Sequence, residues 1–417
     1  MAVRMAAFVF ALASLAASAA DDEWKMFDRR LGMFVHWGIY SVGEWHEQER
    51  MRKQVPRAEY EKHAAGFTAE RFAADRFVDV AESAGAEYIV FTAKHHDGFC
   101  MWDTKTTDFC VMNTPAKRDI LKELADACRR RGMRFGLYYS NPDWHHPNAY
   151  NPKSTHQLEA PNPGDVPDLP KYIEYVKAQI SELMTNYGEI CCLFWDIPTK
   201  VEVPELNELV RRFQPKIMIN DRGWGSVGDY STPERGIPAG EAFPRPTEAC
   251  DSVGAQSWGY RRNEDYRTLG YLTRAIDRTL TRGGNFLLNV GPKSDGTIPN
   301  ESVDLLRRVG NWYSKVRESY QGVEMVTNVV ADALVTRRRN VLYLHYPDGI
   351  LATGLNLAPL AVLPRAASVL NDGTDLKAEL EYMPTSFWKD RKPTVHLQGI
   401  RADALANESV VIRLDAP

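Results

Sequence analysis

Cysteine is scarce in this chain, and none of it forms a CxxC pair: Cys100, Cys110, Cys128, Cys191, Cys192 and Cys250 are spread through one region. That spacing excludes a zinc knuckle. Strong charge of either sign is also missing. The net charge is −4 over 417 residues and the basic residues are scattered, which is not the footprint of a nucleic-acid binder. There is no low-complexity tract and no internal repeat, which sets aside solenoids and disordered arrays. Beyond residue 20 no segment is apolar enough to cross a membrane.

What is present begins with residues 1–20. Arg4 supplies a positive start, Met5 to Leu15 a short apolar core, and Ala17-Ser18-Ala19 a small-residue cleavage site. This is the pattern of a secretory signal peptide, with Ala20 or Asp21 as the new N-terminus. The run is too short for a membrane anchor. A secreted or periplasmic location is the expectation. In such a compartment Cys100 and Cys110 are candidates for a disulfide, with buried free thiols as the alternative. The chain of 417 residues is 44% hydrophobic and 11% aromatic, a globular composition. Its length suits one large domain and a smaller one.

From Leu31 to about Glu318 short apolar runs alternate with amphipathic segments. The runs are Met33–Tyr40, Tyr88–Ala93, Arg134–Ser140, Ile190–Trp195, Lys216–Asn220 and Phe286–Val290. The helical patterns are Ala73–Ala84, Ile120–Arg131, Leu169–Tyr187, Glu205–Phe213, Leu269–Thr281 and Ser302–Lys315. Strand, helix, strand predicts an α/β fold with a parallel sheet. No glycine-rich turn argues for an open dinucleotide-binding sheet, so an irregular (β/α) TIM-like barrel is expected, short of eight full units. After about Tyr320, short strands at Val341–Tyr346, Ala361–Pro364, Lys377–Glu381 and Ser409–Leu414 predict a small C-terminal all-β sandwich. The expected boundaries are a leader 1–20, a barrel 21–325 and a sandwich 326–417.

Catalysis in a parallel barrel sits at the C-terminal ends of the strands. Those ends carry His36-Trp37 and then Trp45, Lys94-His95-His96-Asp97, Tyr138-Tyr139-Ser140, Trp195-Asp196, Asn220-Asp221-Arg222, Trp258 and Asn289. Indole faces pack on the C–H face of a sugar, and His, Tyr, Asn and Arg reach its hydroxyls. Asp196 ends an apolar run, a costly position for an acid without a role. Cleavage of a glycosidic bond needs a second carboxyl, and Glu234 and Glu248 both follow the Lys216–Asn220 run. His95 and His96 are adjacent, and adjacent residues of an extended chain point to opposite faces, which argues against one shared metal ion.

Six motifs stand in order along the chain: Met33-Phe34-Val35-His36-Trp37-Gly38-Ile39-Tyr40-Ser41, Lys94-His95-His96-Asp97-Gly98-Phe99, Gly136-Leu137-Tyr138-Tyr139-Ser140, Asn220-Asp221-Arg222, Ser257-Trp258-Gly259-Tyr260 and the run from Gly283 to Pro292. In these the chain resembles the α-L-fucosidases of glycoside hydrolase family 29. The resemblance implies an irregular barrel followed by a β-sandwich, a fucosylated carbohydrate as substrate, and retention of anomeric configuration. Asp196 takes the nucleophile position. His36, His95, His96 and Tyr139 match positions that hold the fucose hydroxyls, Arg222 a position near the nucleophile, and Trp45 and Trp258 aromatic positions of the pocket. The acid/base is Glu234 or Glu248. Glu234 is favoured because it lies in the Thr-Pro-Glu context of many bacterial members, whereas Thr247 before Glu248 replaces the Trp of another branch. Phe194-Trp195 also departs from the family, where small or polar residues precede the nucleophile; a changed pocket shape is expected.

No cofactor and no metal is called for. The other readings are a metal-dependent barrel hydrolase using His36, His95, His96 and Asp196, and an inactive fucose-binding protein.

Overall fold

The structure, a computed structural model, describes residues 28, 30–225, 227–236, 242–382, 384 and 392–417. The expected leader, 1–20, lies outside the described residues. Seven strands make one parallel sheet: β1 (Leu31–Val35), β2 (Tyr88–Lys94), β3 (Arg134–Ser140), β4 (Cys192–Asp196), β5 (Met218–Ile219), β6 (Glu248–Ser252) and β7 (Asn285–Val290). Their order is β5-β4-β3-β2-β1-β7-β6.

Alternation along each strand sorts its side chains into two layers. Phe34, Val90, Tyr138, Phe194, Cys250 and Leu287 point inward and form the barrel's own core. Met33, Val35, Ile89, Leu137, Tyr139, Leu193, Trp195 and Leu288 point outward, into the larger core beneath the helices. Gly32 shows how tightly the interior is filled. A Cβ there would lie 2.4 Å from the Tyr88 ring.

The helices are Ala74–Ser83, Ile120–Arg131, Leu169–Asn186, Glu205–Phe213, Leu269–Thr281 and Asn300–Val316, besides short turns. Ile120–Arg131 illustrates why they form. It buries Ile120, Leu121, Leu124, Ala125 and Cys128 along one stripe. Asp119 caps its start by accepting the Lys122 amide, and Gly132 ends it with φ +68°.

Among the described residues no helix joins β5 to β6. Instead the chain at 230–234 runs alongside both, with parallel bridges Asn220↔Tyr230, Ser231↔Thr247 and Glu234↔Cys250. This segment closes the barrel where the eighth strand would lie, which is why the barrel is irregular.

β8 (Glu324–Val326) opens a five-stranded antiparallel sheet with β9 (Leu334–Arg338), β10 (Val341–Tyr346), β12 (Ala366–Val369) and β15 (Val410–Asp415). A three-stranded sheet holds β11 (Gly354–Asn356), β13 (Lys377–Glu381) and β14 (Thr394–Gln398). Both sheets contribute to a second core that includes Val335, Leu344, Ile412, Val395 and Leu397. The strand expected at Ala361–Pro364 is irregular chain; the strand lies just after it, at β12. Pro359 precedes the expected run and Pro364 ends it, and proline withholds the amide a ladder needs.

The two parts are joined by buried polar contacts. Asp277, on the barrel helix Leu269–Thr281, accepts from Tyr320 Oη at 2.7 Å, contacts His345 Nδ1 of β10 at 2.7 Å and accepts from the Ser409 hydroxyl. Trp312 Nε1 donates to the Ser409 carbonyl at 2.9 Å. The six cysteines are all buried and free.

Candidate active site

Asp196 is the last residue of β4 and faces inward, in phase with Phe194. It is 7% exposed. Tyr138 Oη donates to its Oδ2 at 2.6 Å, and Arg222 Nη1 donates to its Oδ1 at 2.9 Å. Burial alone would raise this carboxyl's pKa. The Arg222 guanidinium, His96 and the Tyr138 hydroxyl outweigh that and hold it below the usual carboxylate range.

Arg222 Nη1 also donates to Glu234 Oε1, and Nη2 to the Thr232 carbonyl. One guanidinium nitrogen therefore serves two carboxylates. That keeps the two acids within two hydrogen-bond lengths of each other, at most about 6 Å. The retaining geometry, about 5–5.5 Å, lies inside that limit. Burial tends to lower the Arg222 pKa, but the two carboxylates outweigh it and raise it, so the cation persists.

Two histidines are oriented by their far nitrogens. Asn289 Nδ2 donates to the Ser252 hydroxyl and the Trp258 carbonyl, so its Oδ1 is the acceptor facing His36 Nδ1 at 2.7 Å. His36 must carry its proton on Nδ1, which leaves Nε2 as an acceptor. Ser140 Oγ spends its proton on the Pro142 carbonyl, so it accepts from His96 Nδ1 at 2.6 Å. Burial pushes both imidazoles down to about 4, so both are neutral at neutral pH. His96 Nε2 stands 3.7 Å from Asp196 Oδ2, too far for a hydrogen bond. His95 stacks on Tyr138 with centroids 5.6 Å apart, and burial lowers its pKa as well.

These groups line a cavity of about 250 Å³. His36, His95, His96, Asp196, Arg222, Glu234 and Trp258 all border it, with Phe34 and Phe194 as its apolar wall. Arg235 lies over the Trp258 ring at 4.6 Å.

Three expected site residues lie elsewhere. Tyr139 points outward under the helices, where its hydroxyl donates to Gln179 Oε1 at 2.6 Å; its neighbour Tyr138 faces the pocket, because consecutive strand residues alternate. Trp45 does not line the cavity. It packs on His46, with the Lys53 ammonium 4.1 Å from its ring, and Gln48 of the same segment faces the pocket instead. Glu248 is not in a loop but begins β6, at the N-terminal end of the barrel. There it accepts from Tyr88 Oη at 2.5 Å, and burial pushes its pKa up to about 7. Of Phe194-Trp195 only Phe194 shapes the pocket; Trp195 turns outward, its Nε1 donating to Asn207.

His95 and His96 do both reach the pocket, 4.1 Å apart by centroid. β2 ends at Lys94 after a register shift, so the alternation expected of an extended chain no longer applies. Among the described residues no group of three or more metal-ligating side chains is arranged to hold an ion. The sequence places Tyr138 at a strand end but the site role went to its neighbour Tyr139, and Gln48, Thr155, His156, Ile197 and Cys250 were not singled out as pocket residues. Only Tyr138 left a signal, being two residues from Gly136 on the close-packed inner face.

A deep pocket at the C-terminal mouth of a parallel barrel, with two carboxylates bridged by arginine, defines the class: a glycoside hydrolase. The family model described as Alpha-L-fucosidase matches residues 6–318, and the chain belongs to that family. It is similar to the plasma alpha-L-fucosidase of Homo sapiens, 31% identical over 344 residues, covering 71% of this chain and 70% of that protein. Among solved structures it is similar to alpha-L-fucosidase isoenzyme 1 from Paenibacillus thiaminolyticus, with TM-score 0.83, 30% identity, and 94% and 97% of the two chains covered. It is also similar to the Thermotoga maritima alpha-fucosidase in complex with a mechanism-based inhibitor, with TM-score 0.73, 27% identity, and 93% and 95% covered.

Proposed function

We propose that this chain is an exo-acting, retaining α-L-fucosidase in which Asp196 is the nucleophile and Glu234 the acid and base. The observation that carries the assignment is the Arg222 nitrogen shared by the two carboxylates. Asp196 is ionised and attacks C1 of a terminal fucosyl residue while Glu234, entering the step as the neutral carboxylic acid, gives its proton to the departing oxygen and becomes a carboxylate. Glu234 then takes a proton from water, which displaces Asp196 from C1. Two inversions give net retention. The neutral imidazoles of His36 and His96 accept sugar hydroxyls, and Phe34, Phe194 and Trp258 offer an apolar wall for the C6 methyl. The cavity of about 250 Å³ falls below the usual range of about 300–1,000 Å³ for ligand sites, which suits one terminal sugar rather than a chain.

Azide separates the two roles by stereochemistry. Asp196→Ala should lose nearly all turnover of an aryl α-fucoside. With azide it should give the β-fucosyl azide, from one displacement. Glu234→Ala should form the fucosyl-enzyme and, with azide, release the α-fucosyl azide, from two. Full activity in either variant, or the reverse pattern of products, would overturn the assignment.

Export belongs to the same proposal. The charge, apolar core and small residues of positions 1–20 support it. N-terminal sequencing of protein recovered outside the cytoplasm should begin at Ala20 or Asp21; an intact Met1 there would reject cleavage.

A further inference from the structure

The residue after Asp196 is unusual. Ile197 has φ +63°, in the left-handed region. That conformation is a genuine outlier for a β-branched side chain and persists only where neighbours impose it. Ile197 borders the pocket.

What imposes it is Asn141, which follows β3 and is 2% exposed. Its Nδ2 donates to the Ile197 carbonyl at 2.7 Å and to the Arg222 carbonyl at 3.0 Å. Its own amide donates to the Asp196 carbonyl at 3.0 Å. Its carbonyl accepts from Tyr172 Oη at 2.8 Å, and Lys94 Nζ donates to that hydroxyl at 3.2 Å. Among the described residues Asn141 Oδ1 has no hydrogen-bond partner. The amide is therefore retained in the interior at a cost, and its useful half is the NH2 group. Both donors of that group are spent on the two backbones that carry the reacting carboxylate and its arginine.

We infer that Asn141 is a positioning residue: it clamps the Ile197 and Arg222 carbonyls so that Asp196 and the Arg222 guanidinium meet in the reactive geometry. Asn141 borders no part of the cavity and acts only through those residues. The reasoning rests on Asp196 being the nucleophile. Without the clamp, Ile197 relaxes to an ordinary backbone conformation and the end of β4 turns with it. Asp196 and Arg222 separate, and the arginine that both carboxylates need is shared less well.

Four proteins test this: wild type, Asn141→Ala, Asn141→Asp, and Asn141→Ala combined with Ile197→Gly. Folding is checked first by near-UV circular dichroism and thermal unfolding. In Asn141→Ala, kcat on an aryl α-fucoside should fall about 10- to 100-fold, the scale of a small misplacement of reacting groups. KM should change far less, since the pocket walls stay in place. Asn141→Asp keeps the shape but turns an oxygen toward two carbonyls, so it should be no better than alanine. The acidic limb of kcat/KM should move to higher pH, because a looser Arg222 contact stabilises the Asp196 carboxylate less. Glycine adopts φ +63° without strain, so Ile197→Gly should restore a measurable part of the kcat lost in Asn141→Ala. A folded Asn141→Ala enzyme with wild-type kcat and an unmoved acidic limb would overturn the inference, as would a loss that Ile197→Gly does not relieve. Full activity in Asp196→Ala would instead overturn the underlying nucleophile assignment, so the two failures are distinguishable.

Discussion

Asp196 and Glu248 are both buried, yet their carboxyls shift in opposite directions. Asp196 has Arg222, Tyr138 and His96 around it and stays below the usual range. Glu248 has one hydroxyl, from Tyr88, and is pushed up to about 7. An unfolded glutamate titrates near 4.3. The native state therefore binds the proton more tightly, and stability falls as pH rises from about 4.3 through about 7. Below that window the contribution of Glu248 is fully present, and above it the contribution is lost. Glu248→Gln, neutral at every pH, should flatten this slope. Its melting temperature should change less between pH 5 and pH 8 than that of wild type. The same variant should keep most of its turnover, because Glu248 lies at the far end of the barrel from Asp196. A loss as severe as that of Asp196→Ala would return Glu248 to the acid/base role.

At the scale of single elements, strand alternation decides more than composition does. β3 reads Tyr138-Tyr139, and the two residues have identical chemistry. Register pairs Tyr138 with Phe194 and Ser140 with Asp196, so Tyr138 shares the inner face with the nucleophile. Tyr138→Phe should remove one donor from Asp196 and lower kcat/KM about 10-fold, the scale of a hydrogen bond to a charged group. Tyr139→Phe should cost stability of about 1 kcal/mol through its lost bond to Gln179 and leave both kinetic constants near wild type. Equal kinetic losses in the two variants would contradict the facing. β3 itself was legible to its exact ends, because its apolar run is unbroken. β6 was not. Glu248 and Asp251 make it look like a loop; Tyr88, distant in sequence, meets Glu248 inside the barrel, while Asp251 faces outward, where Tyr271 of the helix Leu269–Thr281 and the Ser252 amide donate to it. The common facing of His95 and His96 was not legible for a related reason: periodicity stops where the ladder stops, and the chain beyond Lys94 follows tertiary contacts.

Across the whole molecule, the barrel and the β-module share buried structure. Tyr343 of β10 and Val411 of β15 belong to the barrel's outer core. Asp277 gathers Tyr320, His345 and Ser409 where the two parts meet. Burial would raise the Asp277 pKa, but the His345 imidazole and the hydroxyls outweigh it and lower it, so a charged acid sits fully enclosed there. Such a joint is costly to break from one side, since the partner is left buried and unpaired.

Local pattern along the chain is enough to read the alternation of strands and helices through the barrel apart from β6, the change to β structure after it, and the acid at the end of β4. These depend on local period and on which residue types can be buried, both of which are written along the chain. The inward facing of Tyr138, the removal of Glu248 and Trp45 from the site, the closure of the barrel by 230–234 and the clamp of Asn141 on Ile197 and Arg222 were decided only by the tertiary structure. Each depends on which distant backbone lies beside a given residue. That is a matter of register and of chain beyond the ends of strands, where no periodicity remains to be read.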